Sequence, residues 1–244
     1  MARILITGSA DGLGLLASKH LIQQGHEVIL HARNKERAQA TLSQLPEAKH
    51  LLIGDLSSME ETKKLAGEVN ALGRLDAVIH NAGVYQASGK TIFAVNTLAP
   101  YILTSLIGRP GRLIYLSSGM HRSGTWNPDK IKGDMDRVSY SDSKLHVLML
   151  SKAVARKWTD VYSNSVDPGW VPTKMGGKGA PDDLQKGYET QAWLAVSNDS
   201  KALVTGQYFH HQRQDKYHKQ ADEVASQERL LNVCEEITGV VFPF

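Results

Sequence analysis

Short runs of branched apolar residues alternate with stretches of helical amphipathic spacing through the first half of this 244-residue chain, and few folds accept that order. Arg3–Thr7, Glu27–His31, His50–Gly54, Asp76–His80 and Arg112–Ser117 have the length and composition of strands. Between them, Leu13–Gln24, Lys35–Leu45, Met59–Leu72 and Thr91–Ile107 carry helical spacing. Strand–helix alternation implies parallel crossovers in a doubly wound sheet, and near-continuous apolar strands suit a sheet covered on both faces. The pattern goes on with a helix at Tyr140–Trp158, a strand at Val161–Val166, a helix at Leu184–Val196 and a strand at Gly206–Phe209. A last helix over Ala221–Ile237 is expected to pack its Val224, Leu231 and Ile237 face on the body. The expected fold class is α/β: one domain over residues 1–244, with a mostly parallel sheet of about seven strands and helices on both faces.

Composition narrows the partners. Apolar residues make up 41% and charged residues 22%, as in ordinary globular domains. The single cysteine, Cys234, excludes an intramolecular disulfide and any multi-cysteine metal site. The net charge of +3 is spread among acids, with no basic run to suggest nucleic-acid binding. The first apolar run starts at Ile4 and nowhere do eighteen apolar residues follow one another, so neither a signal peptide nor a membrane span is expected. A cytoplasmic protein is the expectation. His210, His211 and His218 lack a spacing that would hold a metal and read as a solvated basic tail. Gly119–Ser139 and Gly169–Pro181 look irregular, and loops of that length are often lids or binding loops.

Between the first strand and first helix lies Thr7-Gly8-Ser9-Ala10-Asp11-Gly12-Leu13-Gly14. Gly8 can turn tightly with positive φ, Gly12 lets backbone approach a pyrophosphate, and Gly14 lets the helix pack close to the strand. Free N–H groups at the helix start then favour phosphate. A glycine-rich turn alone is common, but its place at the first strand–helix turn is telling. Thr-Gly-x-x-x-Gly-x-Gly resembles the short-chain dehydrogenase/reductase family, whose motifs recur here in order from Arg3 to about Phe209. The resemblance implies a Rossmann fold and a nicotinamide cofactor.

Which cofactor is read from the end of the second strand. An acid there would bond the ribose hydroxyls of NAD, whereas this chain has His31-Ala32-Arg33-Asn34-Lys35. Arg33 can pair a 2′-phosphate, or it is a solvated loop arginine. NADP(H) is expected over NAD(H), although Asp11 stands where many NADP-preferring relatives carry a basic residue. Asp55-Leu56 resembles the family's adenine contact, with capping of the next helix as the other role for Asp55. Asn81-Ala82-Gly83 resembles the family's N-A-G turn, which holds the sheet and the cofactor wall.

Tyr140 and Lys144 lie one helical turn apart on one face. A nearby ammonium favours a phenolate and should lower the tyrosine pKa. Tyr140 could then give a proton to a carbonyl oxygen or take one from an alcohol. In the family the lysine also bonds the nicotinamide ribose. Ser118 aligns with the family's catalytic serine, which would hold the substrate oxygen, and Ser117 would be structural. The Ser118–Tyr140 interval resembles the branch of retinol-dehydrogenase-like and WW-domain-oxidoreductase-like enzymes. Asn96 matches the family's fourth catalytic residue; otherwise it is a satisfied core asparagine. Pro100 lacks an N–H, which would free the Asn96 carbonyl to hold a water touching Lys144. Asp167-Pro168-Gly169-Trp170-Val171-Pro172-Thr173 resembles the P-G-x-V-x-T segment, so Pro168, Gly169, Val171 and Thr173 are expected along the nicotinamide. Lys174–Pro181 is expected to be a mobile substrate loop, with Trp126, Met135 and Met175 near the pocket.

Together these motifs imply an NADP(H)-dependent oxidoreductase moving a hydride between the nicotinamide and a carbonyl or alcohol. The expected partner is a small-molecule substrate; no nucleic acid, membrane or metal is expected, and the resemblance allows a homo-oligomer. The alternatives are an NAD-preferring alcohol dehydrogenase and a cofactor-binding sensor with little turnover.

Overall fold

A computed structural model describes residues 1–243. Its first half is a series of strand–helix units: β1 (Arg3–Ile6), α1 (Gly12–Gln23), β2 (Glu27–Ala32), α2 (Lys35–Gln44), β3 (His50–Ile53), α3 (Met59–Ala71) and β4 (Ala77–His80). The series continues through α4 (Gly89–Phe93), α5 (Ala99–Leu106), β5 (Arg112–Leu116), α6 (Pro128–Gly133), α7 (Tyr140–Lys157), β6 (Tyr162–Asp167), α8 (Leu184–Val196), β7 (Tyr208–His210), β8 (Arg213–Gln214) and α9 (Val224–Thr238). The strands form one sheet in the order β3-β2-β1-β4-β5-β6-β7-β8. β1 through β7 run parallel, and β8 returns antiparallel to β7. The direction of winding reverses between β1 and β4, which opens a crevice at the carboxyl ends of those two strands.

Both faces of the sheet are covered, as the apolar strands require. Ile4 and Ile6 pack with Ala17 and Leu21 of α1 and Ala192 and Ala195 of α8. Leu5, pointing the other way, joins Leu65 and Val69 of α3, Tyr101 of α5 and Leu148 of α7. Neighbouring strand residues alternate faces, so one three-residue run anchors both layers. Each such buried aliphatic side chain contributes about 1.5–3 kcal/mol.

The structure corrects the expectations in several details. The expected mostly parallel sheet is present and, among the described residues, has eight strands: β8 follows a turn at His211 and Gln212, both with positive φ (47° and 62°). Asn-Gly usually announces such a hairpin turn; His-Gln does not. His210 and His211 are accordingly no solvated tail but stack at 3.8 Å in that turn. The helix expected over Thr91–Ile107 is interrupted by a π-turn at Ala94–Leu98, where the Ala99 N–H reaches back five residues to the Ala94 carbonyl. Pro100 next to it offers no N–H to the ordinary ladder. The segment Gly119–Ser139 holds two 3₁₀ turns, Gly119–Ser123 and Met135–Arg137, around α6. The Asn127 side chain caps α6 by accepting from the Asp129 and Lys130 N–H groups, with Pro128 at the first position. Trp126 is buried in the core and Met135 packs against it, so neither is a pocket residue. At the C-terminal end, Leu231 is buried and Ile237 packs on the core, but Val224 is 51% exposed. The fully buried Ala221 of the preceding 3₁₀ turn fills the core at that end.

Buried histidines link this packing to pH. Burial pushes His80 down to about 3. It pushes His146 down to about 4, against the opposing pull of Asp142 and with a small further push from Lys130. Below the unfolded value of about 6.5 the unfolded chain therefore binds protons that the folded chain refuses, and stability falls with pH from that point towards 4. Each residue adds a slope of about 1.4 kcal/mol per pH unit inside its window. Urea unfolding followed between pH 6 and pH 4.5 should show this loss. In His80→Gln the slope should be shallower by about one proton's worth; an unchanged slope would rule out the buried neutral His80.

Candidate active site

The crevice between β1 and β4 is closed at its base by an interlock of two turns. The Asn81 amide nitrogen donates to the Thr7 carbonyl at 2.9 Å and to the Gly8 carbonyl at 3.2 Å. The Ala82 N–H donates to the Thr7 hydroxyl at 3.1 Å. Gly8 has φ +65°, and a Cβ there would lie 2.9 Å from the Ala82 Cα. A Cβ on Gly14 would lie 2.4 Å from the Asn81 amide nitrogen and 2.5 Å from the Gly8 carbonyl oxygen. Only glycine fits either place, which ties the glycine spacing to the turn that ends β4. Ser9 is fully buried beneath, its hydroxyl accepting the His31 N–H at 2.7 Å.

Above this base lies a cleft of about 350 Å³. Gly8, Asp11, Gly12, Leu13, Arg33, Asp55, Leu56, Asn81, Ala82, Gly83, Tyr140, Lys144, Pro168 and Thr173 line it. Thr7, Ser9, Gly14 and Asn96 support it from behind instead, and Val171 is buried on the Gly187 side. Gly169 makes the turn after Pro168 with φ +81°. Asp55 does not cap α3, whose cap is Ser58; its Oδ1 accepts from the Ser57 N–H and hydroxyl.

The start of α7 is fixed by a capping box between Ser139 and Asp142. Burial works against the Asp142 charge, but Lys130 at 2.7 Å and the N–H groups of Ser139 and Thr125 outweigh it and hold the carboxyl far below its usual range. Tyr140, the first residue of α7, is thereby set near Ser118, whose hydroxyl accepts the Met120 N–H at 3.2 Å. One turn on, the Lys144 ammonium donates to the Leu116 carbonyl at 2.7 Å and lies 5.4 Å from the Tyr140 ring centroid. A Cβ on Gly83 would lie 3.3 Å from that ammonium and 3.4 Å from Asn96 Oδ1. Ser117 donates to the Lys144 carbonyl at 2.9 Å, the structural part expected of it. Asn96 sits in the π-turn. Its Oδ1 accepts the Val84 N–H at 2.8 Å, and its Nδ2 donates to the Val84 carbonyl and the Ser143 hydroxyl.

The expected lowering of the Tyr140 pKa is corrected. Burial pushes it up to about 12; the Ser118 hydroxyl works against this, and the charges of Asp167 and Tyr85 add to it. Burial lowers Lys144 to about 8, opposed by Asp167. In the protein alone, loss of water outweighs the cation that the helical spacing brings near.

The model of the family described as short chain dehydrogenase matches residues 2–183. The chain belongs to that family. It is an oxidoreductase, 44% identical over all of its length to an uncharacterized oxidoreductase of Emericella nidulans, 99% of which is covered. Human retinol dehydrogenase 14 is 26% identical over 98% of this chain and 86% of its own, in line with the branch resemblance. Among solved structures, an uncharacterized protein from Mycobacterium paratuberculosis superposes with a TM-score of 0.83 at 21% identity, covering 100% of this chain and 96% of the other. The RhlG/NADP active-site complex of Pseudomonas aeruginosa gives 0.70 at 20% identity, covering 85% and 93%.

Three residues of this short-chain dehydrogenase site escaped the sequence analysis. Arg37, four residues after Arg33, lines the cleft and pairs with Asp11 at 3.2 Å. Lys174 reaches the same carboxylate at 2.6 Å from across the mouth of the cleft. Asp11 also accepts the Gly12 N–H as the cap of α1, so the acid that stood out in the phosphate turn is a neutralised helix cap. His31, beneath the turn, accepts the Gly8 N–H at Nδ1 (2.9 Å), which leaves Nε2 to donate to the Gly54 carbonyl at 2.9 Å. Helical spacing from Arg33 could have flagged Arg37; no sequence signal brings Lys174 or His31 to the turn.

Gly14→Ala tests the interlock. The added methyl meets backbone and the Asn81 amide at once, so the variant should lose about 1–3 kcal/mol in denaturant unfolding. Gly133→Ala, where nothing lies within 4 Å, should stay near the wild type; equal stabilities for the two variants would contradict the close packing.

Proposed function

We propose that this chain is an NADP(H)-dependent carbonyl reductase or alcohol dehydrogenase, with residues 1–244 as one cofactor-binding domain. The observation that carries the proposal is the convergence of Ser118, Tyr140 and Lys144 at the carboxyl edge of the sheet, beside the glycine turn. The chain's own geometry fits a dinucleotide. Gly8 and Gly12 have positive φ, a Cβ on Gly12 would meet nothing nearer than Thr173 at 3.8 Å, and the N-terminus of α1 faces the cleft. Asp55 and Leu56 would hold the adenine end, and Pro168, Gly169, Val171 and Thr173 the nicotinamide end. When bound, the nicotinamide supplies or takes up the hydride.

The protein's part is to hold the oxygen and move the proton. Ser118 bonds the substrate oxygen and stabilises charge developing on it. Tyr140 gives its proton to that oxygen in reduction, or accepts it in oxidation. Lys144, held by the Leu116 carbonyl, bonds the ribose and lies by the tyrosine. Asn96 keeps the Val84 backbone and Ser143 in register beneath them, a positioning task.

NADP(H) is favoured by Arg33 and Arg37, both on the cleft wall, with no carboxylate ending β2. Pairing with Arg37 and Lys174 reduces the repulsion that Asp11 would exert on a 2′-phosphate. A reducing, cytoplasmic setting suits a chain whose sole cysteine, Cys234, is buried and free.

NADPH oxidation against a panel of ketones, aldehydes, quinones and steroids should reveal turnover, and Tyr140→Phe should abolish at least 99% of it, about the 10²-fold of a lost general acid. Arg33→Ala should weaken NADPH binding about tenfold and leave NADH nearly unchanged. Full activity in Tyr140→Phe would overturn the mechanism. Equal NADPH and NADH affinities that Arg33→Ala does not alter would overturn the cofactor preference.

A further inference from the structure

Past the end of β5 the chain leaves the sheet at Ser118, and the turn that follows contains a histidine that none of the site motifs uses. His121 is fully buried, with its ring 4.8 Å from that of Tyr208 on β7. Its Nδ1 lies 2.6 Å from the Ser118 carbonyl oxygen, and its Nε2 lies 3.1 Å from the His218 backbone nitrogen. These partners fix the tautomer. A backbone N–H can only donate, so Nε2 is the acceptor and the ring proton sits on Nδ1, aimed at the Ser118 carbonyl. An imidazolium would have no lone pair for the His218 N–H and would bring a charge into a buried site. Burial, with Arg122 and His218 nearby, holds the His121 pKa below its ordinary value, against the pull of the Ser118 carbonyl and Asp167.

The segment that supplies the His218 N–H is tied to both halves of the site. Arg122 donates from Nη2 to the Asp215 carboxylate at 2.7 Å and to the Lys216 carbonyl at 2.8 Å. Further along, Lys152 of α7 donates to the Tyr217 hydroxyl at 2.6 Å and pairs with Asp222 at 2.9 Å. Residues 215–222 thus form a strap from the turn after Ser118 to the helix that begins with Tyr140. The ladder between β5 and β6 ends at Leu116, with the Ser117 N–H still bonded to the Val166 carbonyl at 2.8 Å. Past that point the Ser118 carbonyl takes its bonds from His121, from the backbone N–H at 3.0 Å as well as from Nδ1. The Ser118 hydroxyl accepts the Met120 N–H at 3.2 Å, which leaves its own proton free to be donated.

We propose that His121 is a positioning residue of the hydride-transfer site: its Nδ1–H holds the Ser118 carbonyl while the strap holds His121, so that the serine hydroxyl keeps its register with α7. This rests on the hydride-transfer function proposed above. In that function Ser118 and Tyr140 must reach one substrate oxygen from two different elements, and small misplacements of such groups are costly.

Long-range proton–nitrogen correlation NMR on histidine-labelled protein reads the tautomer without any substrate. The His121 signals, assigned by their absence in His121→Asn, should show a neutral ring protonated at Nδ1 at neutral pH. A ring protonated at Nε2, or at both nitrogens, would overturn the proposal. Two variants then separate positioning from packing. His121→Asn sets an amide nitrogen at about the place of Nδ1 and can keep the Ser118 bond, whereas His121→Leu fills the space and gives up both bonds. Amide exchange at Met120, whose N–H the serine hydroxyl accepts, should be about tenfold faster in His121→Leu and close to wild type in His121→Asn. On a carbonyl compound that the wild type reduces, His121→Leu should lower kcat about tenfold with KM for NADPH within about twofold, and His121→Asn should recover most of the loss. Should His121→Leu fail to fold, His121→Gln, whose amide falls near the place of Nε2 and gives up the Ser118 bond, replaces it. Wild-type exchange and kcat in a folded variant lacking the Ser118 bond would overturn the proposal. A wild type that reduces no carbonyl would count against the hydride-transfer function instead, and the tautomer and exchange rates would still decide the role of His121.

Discussion

Two turns from opposite sides of the topological switch can meet only where side chains are missing. The Gly8 and Gly14 backbones close on Asn81 and Ala82 at distances that a single Cβ would violate, and the Asn81 amide then satisfies the carbonyls of Thr7 and Gly8 that the approach buries. The start of α1 is set over the crevice by this contact. Its N–H groups face the cleft because Gly14 lets the helix sit this low. His31 supports the arrangement from below by accepting the Gly8 N–H, a bond that requires the neutral imidazole. Burial lowers its pKa, against the raising effects of the Gly54 carbonyl and Asp55, and so preserves that form.

At the other end of the crevice, desolvation governs the charge of two neighbouring groups on α7. The same packing that fixes α7 against β5 removes water from Tyr140 and Lys144 and drives both towards their neutral forms. For the tyrosine this means a proton kept, for the lysine a proton more easily lost. The hydrogen bond that holds the lysine comes from the backbone, the Leu116 carbonyl. Asp142 carries the strongest ionic contact near the helix start, yet it faces Lys130 and serves the capping box. In the proposed mechanism, anchoring and proton handling thus fall to different groups on one helix.

The strand–helix order was legible because parallel strands buried on both faces leave long apolar runs, and helices leave periodic ones. The glycine turn, the N-A-G turn and Tyr140 with Lys144 were legible because each needs fixed residue types at fixed spacing. What escaped depends on contacts between distant segments. The π-turn around Asn96 has a cue in Pro100, but its register is set by the reach of Asn96 to Val84. The β7–β8 hairpin turns on His211 and Gln212, which carry no turn signature. Lys174 comes to Asp11 across 163 residues of sequence. The direction of the Tyr140 shift was misjudged since spacing shows the neighbouring ammonium but not the loss of water.

The central claim is direct hydride transfer from a nicotinamide to a carbonyl carbon in this cleft, and isotope transfer tests it most directly. With NADPH deuterated at both C4 positions and a carbonyl compound turned over by the enzyme, mass spectrometry and NMR of the alcohol should find one deuterium on the former carbonyl carbon. Its incorporation should be lost with Tyr140→Phe. An alcohol product whose carbinol carbon carries hydrogen from solvent instead would contradict the account.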